Sequence, residues 1–504
     1  MEDSLKKKFS WKLLSNILTF SMSSIITILV PRSLGPTDYG NFSYLNNFFS
    51  KILGFFSFGT VLAFFTKLSQ RPNEHKIIRF YIYFLLFVFV VSTLFLSFVY
   101  ITGSNKLLLN EINYQIVVLA FAYSFLLYLI NILRQVNDAY AFTIISEKIF
   151  MTQKFLSLLI VLSLYFLDAL NIVFYFAHLI LVSSLMLLAF IYYLDSQKIK
   201  PFDKSNRLSN LEIKKYFLEF YNYSHPLFTL GAVALIFAFG ERWLLQYYGG
   251  SEQQGFYSFS FAITSIIFLF TGAIAPLFTR DFSIAWDKKD FIHMRFLFNK
   301  FIPPLVALAS FFSFFIAFNG TKIGVLLGGE SYENAGLSIA FMSIYPIHQT
   351  YGQLCGSVFI ASGKTKLMRN ISIPISLLGF CVSAYLLLPV KYGGLNLGSL
   401  GLVYKMVFLQ FLVVNFYLYH CSKILSLSFL YNMKKQIVIM LTFLILAFLV
   451  NIFFEMLLGN LLFQFLLSGF VYILLSIIIV ILFPEILISS SRKELMKFFK
   501  KIKI

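Results

Sequence analysis

Between Trp11 and Phe483 the chain is a succession of long apolar runs separated by short polar connections. The hydrocarbon core of a bilayer is about 30 Å thick and takes about 20 apolar residues per crossing helix. On that measure the runs predict about fourteen membrane-spanning helices, at 11–31, 41–66, 78–101, 114–133, 147–167, 170–194, 218–242, 256–279, 297–318, 337–360, 371–389, 395–419, 435–456 and 460–483. The connections leave no room for a water-soluble domain. Composition agrees: 59% of the residues are apolar, 64 are Phe, and only 12% are Asp, Glu, Lys or Arg. That is about half the charged share of a soluble domain. A soluble chain of 504 residues would need several cores under a charged surface, and the charges are missing. The expected fold class is an all-α polytopic membrane protein.

The net charge is +19. In a soluble protein this would point to nucleic acid; between apolar spans its sidedness is the informative property, and no nucleic-acid partner is expected. With the N-terminus placed in the cytoplasm, the opposite side holds only Arg32, Lys106, Arg242, Lys322 and Lys391. Lys51 and Lys405 fall inside spans, and all the rest of the 41 Lys and Arg lie on the cytoplasmic side. This asymmetry predicts an even number of helices with both termini cytoplasmic. The basic N-terminal stretch resembles a signal peptide, but its apolar run is long and no small-residue cleavage pattern follows, so it reads as an uncleaved first helix.

The longest polar connection, Asp195–Lys215 with Pro201 inside it, divides six helices from eight. The expected organisation is an N-lobe at 1–194, a cytoplasmic linker at 195–215, a C-lobe at 216–420, two further helices at 421–487 and a basic cytoplasmic tail at 488–504. In the tail Leu495, Phe498, Phe499 and Ile502 share one helical face opposite lysines. That pattern suits either a helix lying on an anionic leaflet or a solvated basic end.

An internal repeat orders these helices. After the first span comes Gly35-Pro-Thr-Asp-Tyr-Gly40-Asn-Phe-Ser-Tyr44, and after the seventh Gly250-Ser-Glu-Gln-Gln-Gly255-Phe-Tyr-Ser-Phe259. Each reads Gly, four residues, Gly, then an aromatic-Ser-aromatic triplet, and each leads into a helix ending Phe-Thr-cation, at Lys67 and Arg280. Six helices separate the two turns, so the halves share one orientation. Parallel repeats of this kind predict two six-helix lobes about an axis along the membrane normal, with two C-terminal helices appended.

The stretch Val30-Pro-Arg-Ser-Leu-Gly-Pro-Thr-Asp-Tyr-Gly-Asn-Phe-Ser-Tyr44 resembles the first hairpin of Wzx-type polysaccharide (O-antigen/oligosaccharide) flippases, members of the multidrug/oligosaccharidyl-lipid/polysaccharide exporter superfamily. Glu241-Arg242-Trp-Leu-Leu-Gln-Tyr-Tyr-Gly-Gly250 resembles their seventh helix and the turn after it, with Glu where the family usually has Asp. Leu326-Leu-Gly-Gly-Glu-Ser-Tyr332 and Ala361-Ser-Gly-Lys-Thr-Lys366 resemble the region of the ninth and tenth helices. The resemblance implies transfer of an undecaprenyl-pyrophosphate-linked oligosaccharide from the cytoplasmic to the outer leaflet of a bacterial cytoplasmic membrane. It implies no enzyme activity and no cofactor, and leaves coupling to H⁺ or Na⁺, and a polysaccharide polymerase partner, open.

A cation at the bilayer centre costs about 2.5–3.5 kcal/mol on insertion scales, so intramembrane charges tend to face a cavity or a partner. Lys51, Lys405 and His178 each fall roughly 14–16 Å into their spans at about 1.5 Å per residue, near the midplane. Tyr44, Asn47 and Lys51 recur on one helical face, as do Tyr345, Gln349 and Gln353 in the tenth span, with His348 nearby. Amide and phenol groups can hydrogen-bond sugar hydroxyls, and a lysine can hold pyrophosphate as a point charge. The candidate cavity residues are therefore Lys51, Lys405, His178, Asn47, Tyr44, Gln349 and Gln353. The bland alternative is that such residues join helices to one another. Glu241 and Arg242, at the outer end of their span, are candidates for a gate or a structural ion pair.

Other motifs fail. Gly363-Lys364-Thr365 resembles the end of a phosphate-binding loop, but Val358 stands where that loop needs Gly. Cys355, Cys381 and Cys421 lack metal-ligand spacing and read as core residues. No Ser/His/Asp set or Cys/His metal cluster is identifiable. Two relatives of the main reading stay open: a lipid II flippase, which would carry extra cations in its first and eighth helices, and a cation-coupled drug exporter. The latter usually carries an intramembrane carboxylate, whereas Glu241 and Glu455 lie near helix ends.

Overall fold

The structure, a computed structural model, describes residues 5–110, 112–200, 203 and 206–489. Among these residues there are helices and turns and no strand. They form two compact units, Met1–Gly255 and Phe256–Ile504. The first unit contains α1 (Leu5–Phe56), α2 (Thr60–Gln70), α3 (His75–Ile101), α4 (Asn105–Leu109), α5 (Tyr114–Ala139), α6 (Thr143–Phe166), α7 (Ile172–Ser196), α8 (Asn210–Leu244) and the start of α9 (Gly250–Ser265). The second contains the rest of α9, α10 (Phe268–Asp287), α11 (Phe291–Phe318), α12 (Gly320–Ile323), α13 (Gly336–Met342), α14 (Tyr345–Ala361), α15 (Thr365–Leu387), α16 (Gly398–Leu425), α17 (Phe429–Leu457), α18 (Leu461–Leu482) and α19 (Pro484–Leu487). Residues 195–200, 203 and 206–215 lie within the first unit, and α17 and α18 within the second, where α17 packs along α11. The apolar face expected in the tail, Leu495 to Ile502, is outside the described residues.

Among the described residues ten helices are long and apolar enough to cross a membrane, against about fourteen expected. The difference has identifiable causes. α1 holds two expected spans in one element, joined at Gly35. α8 mixes Glu219, Asn222, His225 and Glu241 into its length. The span expected at 256–279 is divided between α9 and α10, and that at 337–360 between α13 and α14. The span expected at 41–66 is also broken, at Ser57–Gly59, where Phe58 and Gly59 take φ of 50° and 67°. Backbone groups freed at such breaks must be paired again in lipid. Thr60 Oγ1 donates to Ser57 O (2.7 Å) and shares a hydrogen bond with Tyr81 OH (3.1 Å). Ser343 Oγ, between α13 and α14, donates to Ser313 O on α11 (2.8 Å).

Burial is arranged for a lipid solvent. Ile101 is 84% exposed and Phe98 62%, while Ser92, Ser310, Ser313 and Ser383 are buried. Helix contacts in membranes favour small and polar residues in this way. Cys355 and Cys421 are buried as expected, but Cys381 is exposed. α15 buries only Gly379, Ser383 and Leu387, so Cys381 falls on its outer face.

The repeated turns share a backbone conformation. Gly35 has φ 69° and ψ 173°, and Gly250 has φ 82° and ψ 176°. This region is essentially closed to residues bearing a Cβ. A third copy occurs at Gly329, with φ 88° and ψ 175°. In the second and third copies the helix widens into a π-turn just before the glycine, at Leu245–Gly249 and Gly324–Gly328.

Candidate functional site

The second unit contains a cavity of about 560 Å³ with polar and apolar walls between α10, α14, α15 and α16. Gln349 and Gln353, one helical turn apart on α14, both line it, together with Thr279, Ser357, Gln410 and Tyr417. The space exists because Gly272, Ala275, Gly352 and Gly356 carry little or no side chain there. Gln410 Nε2 donates to Gln349 Oε1. Thr279 Oγ1 donates to Ser357 Oγ (2.9 Å), and Tyr417 OH shares a hydrogen bond with Ser372 Oγ (2.6 Å). Gln353 Oε1 is buried and has no hydrogen-bond partner. An unpaired buried acceptor costs about 1–3 kcal/mol. The lining is neutral: beside the apolar Ile360, Met368 and Val413 it offers hydroxyls and primary amides that both donate and accept.

Neighbours of the stripe are used differently. His348 is buried, with Nδ1 3.4 Å from Gln436 Nε2 and its ring edge-on to Phe411. It joins α14 to α16 and α17. The Tyr345 ring packs against Phe268. Lys405 is buried along Gly379 of α15, where an added Cβ would stand 3.0 Å from the Lys405 Cε; it is not in the cavity lining.

In the first unit the expected face of Tyr44, Asn47 and Lys51 changes character along its length. Tyr44 is buried, and its OH donates to Leu108 O (2.5 Å). It is committed to packing rather than to a cavity, because α4 folds back over it. Asn47 Oδ1 is buried without a hydrogen-bond partner. Lys51 is half-buried and, among the described residues, makes no hydrogen bond or ion pair. His178 is also a packing residue: Nδ1 lies 2.7 Å from Tyr175 O and Nε2 3.0 Å from Ser157 Oγ. Both ring nitrogens are used inside the α6–α7 pair, which leaves none for a ligand.

One end of the first unit is closed by a polar cluster that sequence reading caught only at Arg242. Arg242 Nη2 donates to Ser43 Oγ (2.9 Å). With the Gln254 amide turned oxygen-inward, Arg242 Nη2 and Nε lie 3.1 and 3.0 Å from that oxygen. Ser251 Oγ donates to Asn41 Oδ1 (2.6 Å) and accepts from Gln246 Nε2 (2.9 Å). Glu241, beside it, is half-buried. Asn41, Ser43, Ser251 and Gln254 all lie within the two repeated turns, so the repeat was the signal that could have found them.

The opposite end of the same unit is tied by charge. Glu219 on α8 pairs with Arg71 (2.5 Å) and Lys67 (3.1 Å), and Glu212 pairs with Lys76 (2.6 Å). The hydrogen bond from Lys76, helped by the Ser209 capping box, holds the Glu212 carboxyl down to about 2. Arg71 also pairs with Glu74 (3.2 Å). Among the described residues no cluster of His, Cys, Asp and Glu could hold a metal ion.

Residues 5–280 match the family model described as polysaccharide biosynthesis protein. No curated protein sequence matches the chain. Solved structures resemble it at low identity. Lipid II flippase MurJ in an inward closed conformation aligns with a TM-score of 0.67 and 13% identity, over 93% of this chain and 97% of that one. An inward-facing multidrug resistance MATE family transporter of the MOP superfamily aligns with a TM-score of 0.59 and 14% identity, over 82% and 95%. At these identities the likeness establishes the fold alone, that of a multi-pass membrane protein.

Proposed function

This chain belongs to the polysaccharide biosynthesis protein family, and from that premise we propose that it is a flippase for polyprenyl-pyrophosphate-linked oligosaccharide. The observation that carries the reading is the neutral, amide-lined cavity of the second unit, with Gln353 Oε1 left unpaired. Sugar hydroxyls donate and accept in the same pattern as this lining. A cationic drug would call for a carboxylate, and the lining has none. Lys51, half-buried and without an ion-pair partner among the described residues, supplies the charge that pyrophosphate needs. The lipid tail stays in the bilayer.

We place the protein in the bacterial cytoplasmic membrane, as the resemblance to polysaccharide flippases implies, with both termini cytoplasmic, as the one-sided lysines and arginines imply. Transport proceeds by alternating access without bond chemistry. With the inside negative, outward movement of an anion is favoured by about 2.3 kcal/mol per charge per 100 mV. The potential can thus contribute to export, alone or with H⁺ or Na⁺ coupling. The test uses sealed inverted vesicles holding the full chain and a labelled polyprenyl-pyrophosphate oligosaccharide. The expected result is protein-dependent protection of the label from a glycosidase added at the cytoplasmic face. No protection across several glycans, with ion-driven efflux of cationic dyes instead, would overturn the reading in favour of a drug exporter.

A further inference from the structure

One cavity in the first unit is apolar and separate from the polar groups discussed above. It is a groove of about 920 Å³ between α3, α5 and α7. Its floor is buried: Ile78 and Leu85 from α3, Ile132 and Val136 from α5. Its rims stand open, with Leu86 56% exposed on one side and Ile191 50% on the other. Along α3 it runs from Ile78 to Phe89, about 16 Å at about 1.5 Å per residue. That is one leaflet of a hydrocarbon core about 30 Å thick. The groove occupies the end of the unit that carries Lys67, Arg71 and Lys76, the cytoplasmic end by the charge asymmetry.

The mouth is charged, and with both signs. Asp195, Lys200 and Asp203 complete the lining. Lys200 reaches Asp195 at 3.7 Å, with both side chains more than half exposed at 56% and 66%. An exposed pair of this length contributes little and is free to exchange partners. Asp203 is held in place through its backbone, whose carbonyl accepts from Arg79 Nη1 (3.1 Å). Among the described residues its carboxylate has no hydrogen bond or ion pair. A slot one leaflet deep, with Lys200, Arg79 and two carboxylates at headgroup height, matches a lipid that carries a phosphate and a primary ammonium above a hydrocarbon chain.

We infer that this groove is a binding site for an aminophospholipid of the cytoplasmic leaflet. One chain lies between α3 and α7, the phosphate meets Lys200, and the ammonium meets Asp203. A lipid with only a negative headgroup would satisfy Lys200 but offer no donor to the Asp203 carboxylate. A quaternary headgroup could not donate hydrogen bonds to it. The site does not depend on the transport reading, because it is confined to the first unit and uses none of the residues assigned to substrate.

The test is lipid retention by the purified full chain. The protein is delipidated in detergent, offered phosphatidylethanolamine, phosphatidylglycerol or phosphatidylcholine, and read by native mass spectrometry for lipid bound per chain. Phosphatidylethanolamine is expected to be retained in preference to the other two. Asp203→Asn is expected to erase that preference by roughly tenfold, the scale of one charge-assisted hydrogen bond. Leu86→Trp and Ile191→Trp, which fill the groove from exposed rims without touching its floor, are expected to abolish retention. Equal retention of all three lipids, or retention unchanged by both tryptophan variants, would overturn the site. Displacement of phosphatidylethanolamine by a polyprenyl phosphate at equimolar concentration would overturn the assigned occupant.

Discussion

Gly40 lies directly against the carbonyl of Ser251: a Cβ at position 40 would stand 1.8 Å from Ser251 O. Gly255 does the same to Pro36, where a Cβ would stand 1.9 Å from the carbonyl oxygen. The relationship is reciprocal. The second glycine of each repeated turn seats on the residue that follows the first glycine of the other. Backbone can approach backbone this closely only where the approaching residue carries no side chain. Gly40→Ala and Gly255→Ala should each force the two turns apart. The expected cost is roughly 1–3 kcal/mol, the scale of overpacking in a dense contact. The check is labelling of Ser251→Cys by an impermeant thiol reagent from outside, which should rise when Gly40→Ala is added. Unchanged labelling would show that the turns tolerate the methyl without separating.

Gln353 offers a sharper test of the cavity. Gln353→Leu keeps the bulk but removes the unpaired acceptor. Export should fall about tenfold or more, as a lost buried hydrogen bond to substrate implies, while the unfolding temperature holds or rises. A fall in stability with export intact would mean that Gln353 serves the fold.

Lys51→Ala should abolish export at normal protein levels, and Lys51→Arg should retain part of it, since a guanidinium also binds phosphate. Wild-type export by the alanine variant would remove Lys51 from the mechanism. The readout is the same glycosidase protection in inverted vesicles.

Acid should loosen one end of the first unit. The Glu212 carboxyl is held at about 2, against an ordinary 4.5, by the Lys76 hydrogen bond and the Ser209 cap. A depressed carboxylate stabilises the folded state above its ordinary pKa, and that contribution is lost as pH falls from about 4.5 towards about 2. Thermal unfolding followed between pH 6 and pH 3 (approximate limits set by these values) should decline, and Glu212→Gln should flatten the decline. An acid limb identical in both proteins would place the sensitivity elsewhere.

His178→Ala should act on stability and leave export per folded molecule unchanged. It leaves Ser157 Oγ without its partner on α7. A loss of export with the fold intact would return His178 to the site.

The sequence made the helical runs and the paired turns at Gly35 and Gly250 legible because both are local. A run of apolar residues and a Gly-four-Gly spacing need no knowledge of what lies across the lobe. The third turn, at Gly329, escaped because its next glycine, Gly336, comes seven residues later rather than five. Periodicity grouped Tyr44, Asn47 and Lys51 correctly on one face but could not foresee that Leu108, 64 residues away, covers one end of that face. His178 was misjudged for the same reason: its partner Ser157 sits on another helix, 21 residues back. Gln349 and Gln353 differ in that Gly272 and Ala275 of α10 leave room across from them, a fact about a neighbouring helix that no single stripe encodes. The breaks within expected spans were invisible to hydropathy, since Ser, Thr and Phe flank them as they do unbroken helices.

One of those breaks has mechanical meaning. The segment after Gly35 is fastened at its start by the turn-to-turn contact, and α2 is fastened near its end by Lys67 and the adjoining Arg71 to α8. Between them, at Phe58 and Gly59, the helix is interrupted. An unbroken rod would carry any tilt at one end straight to the other. A rod with a joint lets either fastening slip while the other grips, so the two sides of the membrane need not be unlocked together.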